Sequence, residues 1–270
     1  MLALRELWQF RSLILNLTQR ELKGRYRKSV LGWVWSLLNP ASTLAIYTLV
    51  FGYFFRTKLP ADPADHLNSF ALYLFTGLVM WNFFSGVVTG SMGSLLNAGP
   101  LLKKIYFPAE APIIANAVTT LFQTAIEGSI LIIVMFIVGN GSWTFIMLPV
   151  LVAILMCFAI GLGLILALAN VYFRDVNYLI GIALSLVFYA TPIIYPITIV
   201  SGSSTGRHVA KAIITVNPMT QFVYAARDVM YRRQIPSLQR MSGLIIAAIV
   251  SLVVGLWVFH FRRYEISEEV

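Results

Sequence analysis

The sequence predicts an all-α integral membrane protein with six transmembrane helices, an N-terminal amphipathic interface helix and re-entrant helices on the outer face. The chain of 270 residues is 59% hydrophobic and only 11% charged, with a mean hydropathy of +0.80. Soluble domains carry about 25% charged residues. Six apolar runs each reach the roughly 20 residues that a helix needs to cross a bilayer. We therefore expect one six-span membrane domain (30–270) after an N-terminal region (1–29).

The N-terminal region predicts an amphipathic helix followed by a basic cluster. Polar and apolar side chains recur on opposite faces at helical spacing, which suits a helix lying in the membrane interface. No uninterrupted apolar core precedes a small-residue cleavage site, so the region does not resemble a signal peptide. The basic cluster consists of Arg20, Lys23, Arg25, Arg27 and Lys28. Such a cluster can anchor the chain at the cytoplasmic face.

Positive charge predicts the orientation of the six spans. The predicted spans are 34–55, 70–91, 112–138, 145–171, 178–200 and 241–261. An even number of spans places both termini on one side. With that side cytoplasmic, twelve of the twenty Lys and Arg lie inside, namely Arg5, Arg11, Arg20, Lys23, Arg25, Arg27, Lys28, Lys103, Lys104, Arg174, Arg262 and Arg263. Eight lie outside, namely Arg56, Lys58, Arg207, Lys211, Arg227, Arg232, Arg233 and Arg240. The inner excess predicts cytoplasmic termini.

The stretch 97–112, NAGPLLKKIYFPAEAP, joins the second and third predicted spans on the cytoplasmic side. Pro100 suits the first turn of a helix, where a missing N–H costs nothing, and Asn97 is placed to help begin it. Pro108 and Pro112 then end that helix and redirect the chain. The pattern predicts a short, charged helix that suits docking to another protein. A solvated turn with snorkelling lysines is the alternative.

The outer segment 201–240 contains a semi-apolar stretch, 213–230, that is too polar to span the bilayer. We expect short helices that dip into the outer leaflet, where protein or a wet cavity must cover the backbone. A helix lying on the outer surface is the alternative. The segment follows a proline-rich end of the fifth span, which makes a continuous helix through both unfavourable.

Aromatic residues gather at the end of the fifth predicted span, SLVFYATPIIYP (185–196). Phe188, Tyr189 and Tyr195 surround Pro192. Tyrosines at this depth usually form an interfacial belt. Alternatively, the rings line a conduit and stack on sugars, together with a polar stripe on the third span.

That polar stripe contains Glu127, the only acidic residue deep in a predicted span. Asn116, Thr120, Gln123 and Glu127 follow steps of four, three and four, so they share one helix face. An ionised carboxylate in hydrocarbon costs about 3 kcal/mol or more, so the stripe should point away from lipid. Gln123 and Glu127 are therefore conduit candidates. In a proton-coupled secondary transporter, Glu127 would instead be the proton relay.

The sequence does not predict an enzyme. GRYRKS (24–29) lacks the G-x-x-x-x-G-K-[ST] phosphate-loop pattern. The carboxylates do not cluster at one membrane face as metal–diphosphate chemistry requires. The three histidines have no metal-ligand spacing, and a single cysteine, Cys157, forms no disulfide within the chain. The net charge of +9 suggests contact with anionic membrane lipids rather than nucleic acid. In the second inner loop, Arg174 and Asp175 predict a local ion pair or a structural turn.

Five motifs, taken in order, carry a resemblance to one family. They are RYRKSVLGWVWSLLNP (25–40), KKIYFPAEAP (103–112), NVYFRD (170–175), TPIIYP (191–196) and VNPM (216–219). Together they resemble the membrane subunit of ABC-2 type polysaccharide exporters, which move O-antigen, teichoic acid, capsule or galactan chains. The resemblance covers essentially the whole chain.

The resemblance implies a bacterial inner-membrane permease that pairs as a homodimer with two copies of an ABC ATPase. ATP and Mg²⁺ are then bound by the partner, this chain needs no cofactor, and the substrate is a polyprenyl-diphosphate-linked glycan. The N-terminal helix would shape the substrate entrance, and 192–235 would form the outer gate. The basic cluster would draw the diphosphate headgroup through charge-assisted contacts, a role that is compatible with anchoring the chain. The implied coupling helix, with Glu110 after it, consists of Leu101, Leu102, Lys103, Lys104, Ile105, Tyr106 and Phe107.

Three alternatives remain open at this point. One is an ABC-2 exporter of a small amphiphile, and another is the proton-coupled transporter that uses Glu127. The third is a membrane enzyme of lipid-linked sugars, which the missing carboxylate cluster disfavours.

Overall fold

The computed structural model describes residues 9–25, 31–32, 34–56, 67, 69–105, 107–196 and 212–269, and these are almost entirely helical. The side chains of Arg25 and of residues 263–269 lie outside the description. The principal helices are α1 (Arg11–Arg25), α2 (Val34–Tyr47) with a π-helical continuation (Thr48–Phe54), α3 (Phe70–Leu102), α4 (Ala111–Ile137), α5 (Leu148–Tyr172), α6 (Val176–Ala190), α7 (Pro218–Met230) and α8 (Leu238–Glu269). A 3₁₀ turn (Trp143–Met147) precedes α5, and a single short helix (212–216) precedes α7.

Five helical segments of the described chain are long and apolar enough to cross a membrane. They are Val34–Phe54, Phe70–Leu102, Ala111–Ile137, Trp143–Tyr172 and Leu238–Arg262. These segments correspond to the first, second, third, fourth and sixth predicted spans. The all-α, multi-span fold class is therefore confirmed, and the count of six remains a prediction.

The fifth predicted span, 178–200, differs from the structure. Its helix, α6, has 15 residues and ends at Ala190, so it is about 22 Å long. A hydrocarbon core is about 30 Å thick. Thr191 is extended, with φ −100° and ψ 128°, because a residue before proline disfavours the helical conformation. Residues 197–200 lie outside the described residues.

The separate inner helix predicted to begin at Asn97 is wrong. Helix α3 runs without interruption from Phe70 to Leu102 and includes Pro100. Pro100 lies in the last turn, so it removes only one bond near an end that frays in any case. Pro112 does not end a helix either, because it occupies the first turn of α4, where no N–H is needed.

Helix α3 is the centre of the molecule. Its 33 residues extend about 50 Å, and most of those between Phe70 and Val88 are buried. The ring of Phe84 stacks on that of Phe158 of α5 at 5.7 Å, and Phe158 contacts Phe222 of α7 at 5.9 Å. Because lipid tails are as apolar as leucine, such close packing is what holds membrane helices together.

Two glycines allow α5 and α8 to cross in backbone contact. A Cβ atom on Gly161 would lie 2.3 Å from the carbonyl carbon of Ser251, and one on Gly255 would lie 2.3 Å from the carbonyl oxygen of Gly161. The Ser251 hydroxyl also donates to the Phe158 carbonyl at 2.8 Å. Small residues at such a crossing are what membrane helices use to approach closely.

We predict that Gly161→Ala and Gly255→Ala each lower the thermal stability of the protein in detergent, because α5 and α8 must move apart. Gly243→Ala in α8 is the matched control, since nothing lies within 4 Å of its Cβ position. That control should keep or raise the melting temperature, because alanine favours a helix by about 0.5–1 kcal/mol over glycine. Equal effects in all three variants would contradict the crossing. Fluorescence-detected size-exclusion chromatography after heating measures the difference.

Candidate functional site

A cleft of about 540 Å³ lies between α1, the inner half of α3 and the first turns of α4. Arg20 and Glu21 of α1 border it, opposite Thr89, Ser94 and Asn97 of α3. A second cleft of about 650 Å³ follows α1 itself, and its border includes Arg20 and Lys23. Arg20 thus lies between the two clefts.

Two members of the predicted basic cluster therefore border open space. Arg20 and Lys23 do so, whereas the side chain of Arg25 and the whole of Arg27 and Lys28 lie outside the described residues. Helix α1 is fixed in this position by its contacts with α4. The Thr18 hydroxyl oxygen lies 3.5 Å from the Ala115 carbonyl, and the Thr119 hydroxyl lies 3.4 Å from the Glu21 carboxylate.

The polar stripe of α4 faces α3. Asn116 is 2% exposed and donates to the Val87 carbonyl at 3.2 Å. Its amide occupies the space that a side chain on Gly90 would need, at 2.2 Å from the Cβ position. The Thr120 methyl group lies against Gly86 in the same way, at 3.1 Å.

The upper end of the stripe is also paired with protein. The Glu127 carboxyl hydrogen-bonds to the side chains of Gln123 and of Asn82 on α3. Asn116 and Thr120 are buried against α3, and Glu127 is half-buried. The sequence pattern predicted the stripe on α4 but not its partner Asn82 on α3. Asn82 reaches Glu127 only because of the way in which the two helices pack, and sequence spacing does not reveal that packing.

Helix α7 is buried between α3, α5 and the residues that follow α6. Its Arg227 is 2% exposed. The guanidinium donates to the carbonyl of Pro192 at 2.7 Å, to that of Ile193 at 2.9 Å and to that of Tyr73 at 3.3 Å. It also lies 3.4 Å from the centroid of the Tyr73 ring. Arg227 thereby joins three separate parts of the chain.

The last turn of α7 has its carbonyl groups bonded by side chains from other elements. Asn140 donates to the Met230 carbonyl at 2.7 Å, and the Thr144 hydroxyl donates to the Val229 carbonyl at 2.8 Å. Arg233 in turn donates to the Asn140 amide oxygen at 2.7 Å. These bonds satisfy carbonyls that have no partner within the helix.

Next to Arg227, Asp228 faces the opposite direction and binds α8. Its carboxylate accepts a hydrogen bond from Arg240 and forms an ion pair with Arg232 at 3.5 Å. Burial raises the pKa of the Asp228 carboxyl, and the two arginines oppose that effect. Arg240 also donates to the Gln221 side chain at 3.3 Å. From the sequence alone these arginines are predicted only as charges on the outer side. The signal that could have identified Arg227 is its position inside the apolar run 222–231.

The aromatic residues that the sequence places around Pro192 differ in exposure. The ring of Phe188 packs on Trp81 of α3 and on Tyr189, each at 5.4 Å, whereas Tyr189 is 67% exposed. Pro192 is buried beneath Arg227. The Tyr195 hydroxyl donates to the Tyr189 carbonyl at 2.7 Å. Tyr189 is therefore the member whose ring is most available to a ligand, a lipid or another chain.

The inner turn between α3 and α4 differs from the predicted coupling helix. Leu101 and Leu102 end α3, and Lys103, Lys104 and Ile105 form an exposed turn. Tyr106 lies outside the described residues. Phe107 and Glu110 are buried, at 4% and 6% exposure. They therefore hold the turn in place rather than present side chains to a partner, because the chain folds back on itself before α4.

The second inner loop contains Arg174 and Asp175, which are both exposed. They do not form the predicted ion pair in the described structure. Asp175 is the residue before the first turn of α6, and adjacent residues near a helix start point in different directions. Among the described residues, no three His, Cys, Asp or Glu side chains lie close enough together to hold a metal ion.

Comparisons with known proteins agree along nearly the whole chain. A family model described as ABC-2 type transporter matches residues 12–231. The chain is 31% identical over 267 residues to the O-antigen export system permease protein RfbA of Myxococcus xanthus, covering 98% of both chains. It is 26% identical over 259 residues to RfbA of Klebsiella pneumoniae, covering 95% of this chain and 94% of that protein. It is 24% identical over 250 residues to the polysialic acid transport protein KpsM of Escherichia coli, covering 90% and 91%.

We predict that Arg227→Met destabilises the protein more than any other single arginine change on the outer face. The substitution leaves the carbonyls of Pro192 and Ile193 without the Arg227 donor, and each unsatisfied buried group costs about 1–3 kcal/mol. Arg227→Lys should retain part of the stability. The matched control is Arg232→Gln, which removes a partly exposed i,i+4 pair worth less than about 1 kcal/mol. Thermal unfolding in nanodiscs compares the three variants, and equal melting temperatures would count against the assignment.

Proposed function

The chain belongs to the ABC-2 type transporter family, and on that premise we propose that it is the permease subunit of an ATP-driven polysaccharide exporter. Its substrate is a polysaccharide linked to a lipid diphosphate, which it moves across the inner membrane of a bacterium. The observation that carries the proposal is similarity over at least nine-tenths of the chain to permeases named for two different polymers, O-antigen and polysialic acid. Similarity to both supports a machine for polymers rather than one for a single sugar.

In this proposal the chain does no covalent chemistry. Two copies of the permease form the conduit, and two copies of an ABC ATPase bind ATP and Mg²⁺ on the cytoplasmic side. Both termini of the permease are then cytoplasmic. Helix α6 is consistent with a second copy, since none of its residues is buried within the chain.

The clefts beside α1 support an entrance for the lipid-linked substrate. Arg20 and Lys23 border open space near the inner end of α3. Charge-assisted contacts to phosphate are strong, so these residues suit the diphosphate. The polar face formed by α3 and α4 begins in the same cleft.

The length of α3 supports mechanical coupling between the two membrane faces. Its inner end carries the exposed turn at Lys103 and Lys104, and its outer end carries the Tyr73 carbonyl that Arg227 binds. When the ATPase subunits close on ATP, a push at the turn is transmitted along α3 as a rigid element. The outer segments bound by Arg227 then shift with it.

We predict that Lys103→Glu combined with Lys104→Glu weakens co-purification with the ABC ATPase, or separates ATP hydrolysis from export. The two lysines are exposed at the end of a rigid helix, so reversing them changes the docking surface without disturbing the core. The matched control is Arg262→Glu, an exposed basic residue near the inner end of α8. If the double variant is expressed normally and hydrolysis still drives export at the original ratio, this turn is not the coupling element.

We also predict that Glu127→Gln retains at least about half of the export activity, since glutamine keeps the size and hydrogen bonding of glutamate but cannot titrate. Glu127→Leu should impair export because it leaves Gln123 and Asn82 facing an apolar group. Ser129→Leu is the matched control for added apolar volume, because Ser129 is an exposed residue of α4 two positions after Glu127. The assay is ATP-dependent export into inverted vesicles, with and without a proton gradient. Loss of transport in a folded Glu127→Gln variant, with dependence on the gradient instead of ATP, would favour the proton-coupled alternative.

A further inference from the structure

We propose that a polar seam between α3 and α4 binds the sugar-bearing head of the amphiphilic substrate, with its phosphate at Arg20 and its first sugars toward Glu127. The polar seam consists of Asn82, Ser85, Thr89, Gln123 and Glu127. This inference rests on the proposed function and assigns to the substrate three residues of α3 that the sequence analysis did not consider.

The α3 wall of the polar seam follows a single helix face. Asn82, Ser85 and Thr89 are separated by steps of three and four, and the same face continues into the entrance cleft at Asn97. Asn82 and Thr89 are exposed and Ser85 is half-exposed. The hydroxyls of Ser85 and Thr89 donate to carbonyls of their own helix, at 3.4 and 2.7 Å. Their oxygen lone pairs remain available to accept hydrogen bonds from a ligand.

The α4 wall supplies groups that lack full hydrogen bonding within the described chain. One carboxyl oxygen of Glu127 and the Thr120 hydroxyl are buried and have no hydrogen-bond partner among the described residues. A buried polar group without a partner costs free energy that a water or a ligand hydroxyl recovers. Below them, Asn116 fills the space over Gly90 and closes the floor of the polar seam.

The polar seam extends part of the way through the bilayer. From Asn97 to Asn82 is 15 residues, or about 22 Å along α3, compared with about 30 Å for the hydrocarbon core. Beyond Glu127, α4 continues with the apolar run ILIIVMFI (130–137). The seam therefore has an open inner end and an apolar outer limit, which describes a vestibule rather than a complete channel.

The charges at the two ends of this vestibule set the orientation of the ligand. Arg20 borders the open end, beside Glu21, whose carboxylate is engaged by Thr119. Glu127 is the acidic group at the far end. A diphosphate is stabilised by charge-assisted hydrogen bonds to Arg20 and is repelled by a carboxylate. Sugar hydroxyls, in contrast, can donate hydrogen bonds to carboxyl, amide and hydroxyl oxygens along the polar seam. An amphiphile whose diphosphate is followed by neutral, hydroxyl-rich sugars fits this order, with its prenyl chain left in the lipid.

Cysteine accessibility tests the polar seam directly, because Cys157 is the only cysteine. In a Cys157→Ala background, Ser85→Cys and Thr89→Cys place near-isosteric thiols in the seam. Ser129→Cys is the control, since Ser129 is exposed on α4 but lines a different, apolar cavity. A membrane-impermeant methanethiosulfonate applied to the complex in nanodiscs should modify the two seam positions about tenfold faster than the control, because thiolates form in water and not in hydrocarbon. Equal modification rates at all three positions would contradict the proposed polar seam.

Two probes then identify what the seam binds. Farnesyl-diphosphate-linked N-acetylglucosamine should protect both Ser85→Cys and Thr89→Cys from modification. Farnesyl diphosphate without the sugar should leave Ser85→Cys reactive. Adding Arg20→Gln should raise the probe concentration required for protection about tenfold, because a charge-assisted phosphate contact is lost. Equal protection by the two probes, or an unchanged requirement in the Arg20→Gln variant, would overturn the assigned orientation.

Export measured in the same cysteine background separates this inference from the proposed function. If the variants export polysaccharide with the ATPase while the seam thiols stay unreactive, a second copy or lipid covers the seam and this inference alone fails. If the parent chain exports no polysaccharide with any ATPase partner, the proposed function fails, whatever the thiols show.

Discussion

The packing of α7 against α3 and the stretch after α6 depends on the buried guanidinium of Arg227. Removing a charge from water costs several kcal/mol unless the site compensates it. Here the compensation comes from carbonyls at 2.7–3.3 Å and from the face of Tyr73 at 3.4 Å. Pro192 and Ile193 belong to a stretch without helical hydrogen bonds, and such backbone is tolerated at membrane depth only where protein satisfies it. One side chain thus makes the break after α6 possible.

The Arg227 interaction also determines which parts of the chain α3 connects. The Tyr73 carbonyl is on the first turns of α3, and the exposed Lys103 follows its last turn. Between them the helix is uninterrupted, because its single proline lies where only one hydrogen bond is lost. Gly86 and Gly90, on the α4 side, let the polar stripe pack closely without bending the helix. Helix α3 packs against α4, α5 and α7, and it joins the turn at Lys103 to the stretch that Arg227 binds.

The sequence predicted features that depend on local pattern and missed those that depend on tertiary contacts. Hydrophobic length was sufficient to locate the five long spans, and the 4-3-4 spacing was sufficient to place the α4 stripe on one face. The proline pattern at 97–112 was misleading, since a helix end tolerates proline whether the helix begins or finishes there. The roles of Arg227 and Asn82 were not predictable from spacing, because their partners are on other helices.

The arginines of the outer segment illustrate this difference most clearly. When Lys and Arg are only counted, Arg227, Arg233 and Arg240 add to the predicted outer side. They therefore reduce the difference in positive charge from which the orientation was predicted. In the structure each has specific partners: backbone carbonyls for Arg227, Asn140 for Arg233 and Asp228 for Arg240. Charged residues within a membrane domain persist where they bind particular groups. Each of these arginines therefore has a structural role in the segment around α7, which a count of charges does not reveal. Helix α3 therefore has two different polar regions. The residues of the proposed polar seam are open to a ligand, whereas the Tyr73 carbonyl is bound by Arg227 of the protein itself.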